Sequence, residues 1–223
     1  MDCFITPSLE RRGTKPTGLV GWLIYIMKKN RGHLVIISSP SGGGKNSVIN
    51  ALMADFPGST RLVTTTTRPM RPGERDGLDY YFISEADFKK KLAAGDFLEH
   101  NNYAGHWYGT DRKRLEDLLQ HHQIVFSQIE VNGKHQLTAA GVKHLAIFLL
   151  PESMATLKSR IEKRGGLSDE VIAKRLNIAE TEMEESKDYD YRLLNKEGKI
   201  EETVAEIRSI LKDRLGLDAK PKV

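Results

Sequence analysis

The chain has 223 residues, of which 39% are hydrophobic and 29% are charged, a profile typical of one globular domain with a real core. Its single cysteine, Cys3, excludes an internal disulfide framework and favours a reducing, cytoplasmic location. The net charge of +4 comes from residues 1–33, with six basic and two acidic side chains, because the other 28 basic and 28 acidic residues balance. A neutral body argues against a broad nucleic-acid interface.

The amino-terminal segment differs from the rest of the chain. Residues 18–27 are mostly apolar, but ten residues are too few to span a bilayer as a helix. Basic residues follow this stretch without a small-residue cleavage pattern, which argues against a signal peptide. We therefore predict that residues 1–32 are an appended, disordered extension, with Met27 as an alternative start, and that residues 217–223 are a tail. We expect no membrane association.

The organised chain begins with a continuous apolar run over residues 34–37, whose β-branched side chains predict a buried parallel strand. Three glycines follow at residues 42–44, and then comes a helical pattern that ends before Pro57. Strand, glycine turn and helix in this order form the context that a phosphate-binding loop requires.

Strand and helix patterns alternate through the rest of the chain. We predict helices over residues 87–94, 115–121, 153–163, 168–185 and 200–215, with Ser84 capping the first, and strands over residues 97–103, 124–129, 145–150 and 192–194. This alternation predicts an α/β fold of three layers around a mostly parallel, doubly wound sheet.

The glycine-rich segment matches a known pattern for nucleotide phosphates. Residues 39–47 read S-P-S-G-G-G-K-N-S, which aligns with G-x-x-x-x-G-K-[ST]. The glycines let backbone N–H groups surround phosphate oxygens, the helix presents its positive end, and Lys45 supplies charge for the terminal phosphates of a donor. The alternative is a glycine-rich turn with an unrelated lysine, which the strand and helix in register disfavour.

Two positions of this segment depart from the pattern. Ser39 replaces the first glycine, and Asn46 replaces the hydroxyl residue that normally contacts Mg²⁺. Ser47 is no automatic substitute, because one residue along a helix turns the side chain by about 100°. An amide oxygen can also coordinate a hard cation, so Asn46 is the candidate metal ligand.

A second segment has features of a phosphate monoester site. Residues 64–74 read T-T-T-T-R-P-M-R-P-G-E, in which Arg68 and Arg71 flank Pro69 and Met70. Guanidinium groups suit a phosphate because they form paired hydrogen bonds with its oxygens. Two surface arginines on a loop are the alternative. Further motifs follow along the chain: D-Y-Y-F at 79–82, G-D-F-L-E at 95–99, Y-G-T at 108–110 and R-G at 164–165.

In combination these motifs resemble those of the guanylate kinases, from about residue 34 to about residue 211. The resemblance implies transfer of a phosphoryl group from ATP to GMP or dGMP in purine nucleotide metabolism, with Mg²⁺ accompanying ATP. It also implies a domain over residues 33–216, with a P-loop core (33–63 and 111–215), a GMP-binding subdomain (about 64–110) and a helical lid (about 153–186).

The resemblance carries roles onto matching residues on the GMP side. The implied GMP-binding residues are Thr64, Arg68, Arg71, Glu74, Tyr80, Glu99, Tyr108, Thr110 and Glu130. In this assignment Arg68 and Arg71 hold the GMP phosphate with help from the tyrosines. Glu99 accepts from the N1–H and 2-amino groups of guanine, a donor pair that adenine lacks.

The ATP side is assigned in the same way. The implied ATP-binding residues are Ser39, Pro40, Ser41, Gly42, Gly43, Gly44, Lys45, Asn46, Ser47, Arg160 and Asn195. The implied catalytic residues are Lys45, Arg68, Arg164 and Arg175, because mobile arginines suit the charge that develops during phosphoryl transfer. A solvated helix face is the alternative for Arg160.

The family commonly has aspartate at the positions of Gln128 and Glu130. Loss of the first carboxylate leaves three consequences open: slower catalysis, altered metal preference or a different water network. Two other functions compete with a working enzyme, namely a guanylate-kinase-like binding module and a kinase for another monophosphate. The glycines, Lys45 and the arginine pair favour an enzyme, and Glu99 with Thr64 favours GMP.

Overall fold

The computed structural model describes residues 32–103, 105–163 and 168–220. The predicted extension, apart from Gly32, and the alternative start at Met27 lie outside the described residues. Among the residues that are described, no helix has both the length and the apolar character that a membrane crossing needs.

The described chain alternates strands and helices. The strands are β1 (His33–Ser38), β2 (Ser59–Arg61), β3 (Thr65–Thr66), β4 (Tyr81–Phe82), β5 (Phe97–Tyr103), β6 (His106–Asp111), β7 (Ile124–Ser127), β8 (Leu145–Pro151) and β9 (Tyr191–Asn195). The α-helices are α1 (Lys45–Asp55), α2 (Glu85–Ala93), α3 (Arg112–His121), α4 (Val131–Ala139), α5 (Met154–Lys163), α6 (Asp169–Glu185) and α7 (Ile200–Leu215). A short 3₁₀ turn, Ser186–Asp188, joins α6 to β9.

Five strands form a parallel sheet in the order β2-β7-β1-β8-β9. The central strand β1 is buried on both faces, and its side chains alternate between two clusters. Val35 and Ile37 pack with residues of α1 and α7, whereas Leu34 and Ile36 pack with residues of α3 and α4. The predicted three-layer α/β fold with a mostly parallel sheet is confirmed.

A second sheet holds four strands in the order β4-β3-β6-β5. The β3–β6 and β5–β6 pairs are antiparallel, and β3–β4 is parallel. Only β5 was predicted from the sequence, with the bounds that the structure shows. The other three strands carry polar or aromatic residues without an apolar alternation, so their pairing depends on tertiary contacts.

Several element boundaries differ from the prediction. Helix α3 begins at Arg112, three residues early, because the Asp111 side chain caps it by accepting from the Arg114 N–H at 3.1 Å. Strand β7 ends at Ser127 rather than at residue 129. Helix α4 was not predicted, since its sequence V-N-G-K-H-Q-L-T-A has no apolar period.

Candidate functional site

A cleft of about 430 Å³ lies between the carboxyl-terminal ends of β1 and β7 and the four-stranded sheet. Open α/β sheets bind ligands at this edge. The following predicted site residues line the cleft: Ser39, Ser41, Gly42, Gly43, Gly44, Lys45, Asn46, Ser47, Thr64, Arg68, Arg71, Glu74, Tyr80, Glu99, Tyr108, Glu130 and Arg175. Four predicted residues do not line it: Pro40, Thr110, Arg160 and Asn195. Arg164 lies outside the described residues.

The loop after β1 has the backbone of a phosphate-binding turn. Gly42 and Gly44 have φ angles of 95° and 90°, which other residue types rarely adopt, and Gly44 is the N-cap of α1. A side chain on Gly43 would also clash, because its Cβ would lie 2.4 Å from the Ser39 Oγ. Lys45 Nζ reaches back to donate to the Ser39 carbonyl and lies 3.3 Å from its hydroxyl.

Asn195 holds this loop from behind. Its Nδ2 donates to the Gly43 carbonyl at 2.8 Å, and its Oδ1 accepts from the Thr203 hydroxyl at 3.0 Å. The side chain is buried, and a Cβ on Gly44 would lie 2.7 Å from its Nδ2. Asn195 therefore braces the loop in this structure, and its contact with ATP stays a prediction.

Helices α5 and α6 bring one predicted arginine to the loop. Arg175, on α6, lies with Nη1 3.4 Å from the Ser41 Oγ and lines the cleft. Arg160, on α5, lies outside the cleft with Nε 4.0 Å from Glu197 Oε2. A flexible surface ion pair of this length holds a side chain weakly.

The predicted phosphate-monoester site is organised by one carboxylate. Glu74 Oε1 accepts from Arg68 Nη2 at 2.7 Å, and Oε2 accepts from the Arg71 backbone N–H at 2.8 Å. The hydrogen bond from Arg68 lowers the pKa of Glu74 and in turn raises the pKa of Arg68. Glu74 therefore fixes both arginine positions at the cleft.

Two tyrosines stand beside Arg68. Tyr80 and Tyr108 meet edge to face with ring centroids 5.8 Å apart, and the Arg68 guanidinium lies 5.3 Å from the centre of the Tyr80 ring. Burial raises the pKa of the Tyr80 hydroxyl, so it stays a protonated donor. Hydroxyl and guanidinium donors thus converge on one part of the cleft.

Glu99 is a buried carboxylate, with 4% of its surface exposed. Its Oε1 accepts from the Thr110 hydroxyl at 2.6 Å, so Thr110 supports Glu99 from behind the cleft. Burial raises the pKa of Glu99 to about 7, with a further contribution from the charge of Glu130. A ligand that donates N–H groups to this buried carboxylate would stabilise its ionised form.

The positions predicted to contact a metal, 46 and 128, hold amides rather than carboxylates. Asn46 is exposed in the first turn of α1, and Gln128 Oε1 is buried without a hydrogen-bond partner within the described part of the chain. Glu130 Oε2 accepts from Asn101 Nδ2 at 2.6 Å. The described residues contain no cluster of three or more acidic, histidine or cysteine side chains that could hold a metal by themselves.

Sequence reasoning missed several residues that line the cleft, namely Arg61, Asp79, Asn101, Tyr103, Ile129, Gly133, Ile178 and Glu182. Glu182 follows Arg175 by seven residues on α6, and this spacing, two helical turns, would have placed both on one face. Burial raises the pKa of Glu182 to about 7, against the opposing charge of Lys45. For Arg61 the sequence carries no signal beyond its position three residues before Thr64.

Most of the chain is similar to known proteins of one family. The family model described as guanylate kinase matches residues 31–214. The guanylate kinase of Symbiobacterium thermophilum is 38% identical over 183 residues, covering 82% of this chain and 86% of that protein. The guanylate kinase of Thermosynechococcus vestitus is 41% identical over 164 residues, covering 74% and 86%. The crystal structure of guanylate kinase from Anaplasma phagocytophilum superposes with a TM-score of 0.63 at 28% identity, covering 85% and 98%.

Proposed function

The chain belongs to the guanylate kinase family, and we propose that the cleft described above is where it binds GMP and ATP. The chain is a guanylate kinase: it transfers a phosphoryl group from ATP to GMP. The observation that carries the site assignment is the presence of buried Glu99, the Arg68–Glu74 pair and Lys45 in one cleft.

GMP recognition divides between two ends of this acceptor site. Glu99, held by Thr110, accepts from the N1–H and 2-amino groups of guanine. Arg68 and Arg71 hold the phosphate, with the hydroxyls of the neighbouring tyrosines as further donors. Adenine offers no donor pair to Glu99. Bound AMP would therefore leave the buried carboxylate with Thr110 but without the two N–H donors of guanine, which disfavours AMP.

The donor side supplies backbone and cationic groups. The N–H groups of the glycine loop and the amino-terminal end of α1 surround the ATP phosphates, and Lys45 and Arg175 add charge. An oxygen of the GMP phosphate attacks the γ-phosphorus of ATP, the bond from that phosphorus to the β-phosphate oxygen breaks, and ADP leaves. The reaction needs no covalent intermediate with the enzyme, because positioning and charge stabilisation suffice.

Mg²⁺ fits this site as a companion of ATP rather than as a metal held by a protein cage. Gln128 Oε1 is an unpartnered acceptor within the described residues, and Asn46 presents a second amide at the start of α1. Both amide oxygens suit a hard cation or its bound waters. When bound, Mg²⁺ neutralises phosphate charge.

We also propose the division into a core, a GMP-binding subdomain over residues 64–110 and a lid over residues 153–186. The four-stranded sheet and the approach of α6 to the loop support it. A cytoplasmic location in purine nucleotide metabolism is consistent with this activity. The glycines and Lys45 of the loop, together with the arginine pair in the same cleft, favour an enzyme over a binding module.

A coupled assay of ADP formation tests the proposal. The protein is given ATP and Mg²⁺ with GMP, dGMP, AMP or dTMP in turn. We expect GMP or dGMP to be the preferred acceptor, with Arg68→Gln raising KM for GMP. Faster turnover with AMP or dTMP would contradict the assignment of Glu99. Absence of turnover with every acceptor would favour the binding module.

A further inference from the structure

One cationic residue in the cleft has no role in the site described so far. Arg61 is the last residue of β2, the edge strand of the parallel sheet, and its half-buried side chain lines the cleft. Its Nη2 donates to Asn50 Oδ1 at 2.9 Å. Within the described residues this is the one hydrogen bond of the guanidinium, so its other N–H donors are available to a ligand.

The charge of Arg61 is poorly compensated. Burial lowers the pKa of Arg61, and the negative charge of Asp79 offsets that effect only in part. Arg68 behaves in the opposite way, since its hydrogen bond with Glu74 raises its pKa. Among the described residues no carboxylate lies within ion-pair distance of Arg61. A half-buried guanidinium in this position has lost hydration that an anionic ligand can replace.

The position of Arg61 in the cleft indicates which class of anion it would bind. Asn50 follows Asn46 by one helical turn on α1, so the guanidinium is anchored on the helix face that begins at the phosphate loop. Asp79 and Tyr80, the charged and titratable groups that act on it, belong to the acceptor side. Arg61 therefore lies between the two halves of the site, where negative charge gathers during phosphoryl transfer.

We propose that Arg61 is a further phosphate-binding residue of the reaction, donating to phosphoryl oxygens of a nucleotide between Asn46 and Tyr80. This inference rests on the proposed function. A fixed guanidinium here adds positive charge on the side of the cleft where amides occupy the metal-side positions 46 and 128. The ligand chemistry is a nucleotide phosphate, and it comes from GMP, from ATP or from the group in transfer.

Three variants test the role. Arg61→Gln removes the charge, Arg61→Lys keeps it, and Arg208→Gln removes one charge from another half-buried arginine, which pairs with Asp55 at 3.3 Å and does not line the cleft. For each variant, kcat and both KM values are measured, together with Kd for GMP alone and for a non-hydrolysable ATP analogue alone. Thermal denaturation monitors folding.

We expect Arg61→Gln to lower kcat/KM roughly 10- to 100-fold relative to Arg208→Gln, the range for a lost charge-assisted hydrogen bond. Arg61→Lys should retain most of the wild-type kcat/KM, because it keeps the positive charge. If only the affinity for GMP falls, Arg61 binds the acceptor phosphate. If only the affinity for the ATP analogue falls, it binds a donor phosphate. If kcat alone falls, it binds the phosphoryl group in transfer.

The inference would be overturned if the kinetics and both Kd values of Arg61→Gln lay within twofold of those of Arg208→Gln. It would also be overturned if Arg61→Gln lowered thermal stability without changing the kinetics. A wild-type protein that binds GMP without phosphorylating it would instead contradict the proposed function. In that case the Kd for GMP and for the ATP analogue would still test Arg61.

Discussion

Thr110 lies directly opposite Glu99 in the antiparallel β5–β6 pair, and its hydroxyl donates to Glu99 Oε1 at 2.6 Å. The other carboxylate oxygen, Oε2, lies close to Gly133 on α4. A strand neighbour and a helix glycine thus fix the orientation of this buried carboxylate.

Removing the charge of Glu99 will impair GMP use selectively. Glu99→Gln replaces one accepting oxygen by a donor, which opposes the N–H groups of guanine. A charge-assisted bond contributes about 1.5–3 kcal/mol, so we expect kcat/KM for GMP to fall at least roughly tenfold. KM for ATP should stay within about twofold and is the internal control. An unchanged preference for GMP over AMP would show that Glu99 does not recognise the base.

GMP affinity will depend on pH through the same carboxylate. Burial raises the pKa of Glu99 to about 7, and the guanine donors require the ionised form. We therefore expect Kd for GMP to increase as pH falls from 8 to 6, by about tenfold per pH unit below the pKa. The folding stability of the protein without GMP depends on pH in the opposite direction. Protonated Glu99 stabilises the fold, and this contribution is lost as pH rises through about 7.

The GMP phosphate also titrates near pH 6, which complicates the measurement. Kd is therefore measured by calorimetry for wild type and for Glu99→Gln over the same pH range. The phosphate contributes equally to both, so the difference between their profiles belongs to Glu99. Parallel profiles would contradict a pKa near 7 that is linked to GMP binding.

Gly133→Ala separates helix stability from ligand recognition. Alanine favours a helix interior by about 0.5–1 kcal/mol over glycine. At this position, however, the new Cβ would lie 2.7 Å from Glu99 Oε2. We expect a raised KM for GMP, roughly tenfold, while ATP binding remains intact. Thr138→Ala, at an exposed position of the same helix outside the cleft, is the control. An unchanged KM would show that Glu99 can shift freely.

Removing the brace behind the phosphate loop will destabilise the protein. Asn195→Ala deletes the hydrogen bonds to the Gly43 carbonyl and the Thr203 hydroxyl, both buried, at an expected cost of about 1–3 kcal/mol in urea denaturation. Thr203→Val removes only the second bond and should cost less. Comparing Kd for ATP with Kd for tripolyphosphate tests the adenine contact, because that contact affects ATP alone. A loss below about 0.5 kcal/mol would contradict the bracing role.

Restoring a hydroxyl at the metal side will change the Mg²⁺ requirement. We expect Asn46→Ser to lower the half-saturating Mg²⁺ concentration several-fold, since serine has the shorter stem of the usual ligand. Asn177→Ser, the same change at an exposed position of α6 outside the cleft, is the matched control. Binding of Mn²⁺ to the ATP complex is measured alongside turnover. Equal metal dependence of the two variants would exclude Asn46 from the metal site.

The parallel sheet could be predicted from the sequence because its strands are continuous apolar runs. The runs at His33–Ser38 and Leu145–Pro151 are buried on both faces, so nearly all of their side chains are apolar. Such a run can be recognised as a strand without knowing which strands pair with it. The helix Ile200–Leu215 was predicted with the bounds that the structure shows, since its apolar residues recur at helical spacing.

The four-stranded sheet could not be predicted in the same way. Its strands Thr65–Thr66 and Tyr81–Phe82 have two residues each, too short for any periodic signal. They exist because the longer β5–β6 hairpin supplies a pairing edge. The site shows a similar division. The glycine loop and the arginine motif are local in sequence, whereas Arg61 enters the cleft only through the fold.

The four-stranded sheet and α2 are built from one continuous stretch of chain, from Thr65 to Asp111, which leaves the core after β2 and returns to it at α3. The parallel sheet keeps its strand order without any contribution from this stretch. Exchange of this single gene segment would therefore replace most of the proposed GMP site while the glycine loop stays untouched. Acceptor preference and donor use can consequently evolve, or be engineered, as separate traits.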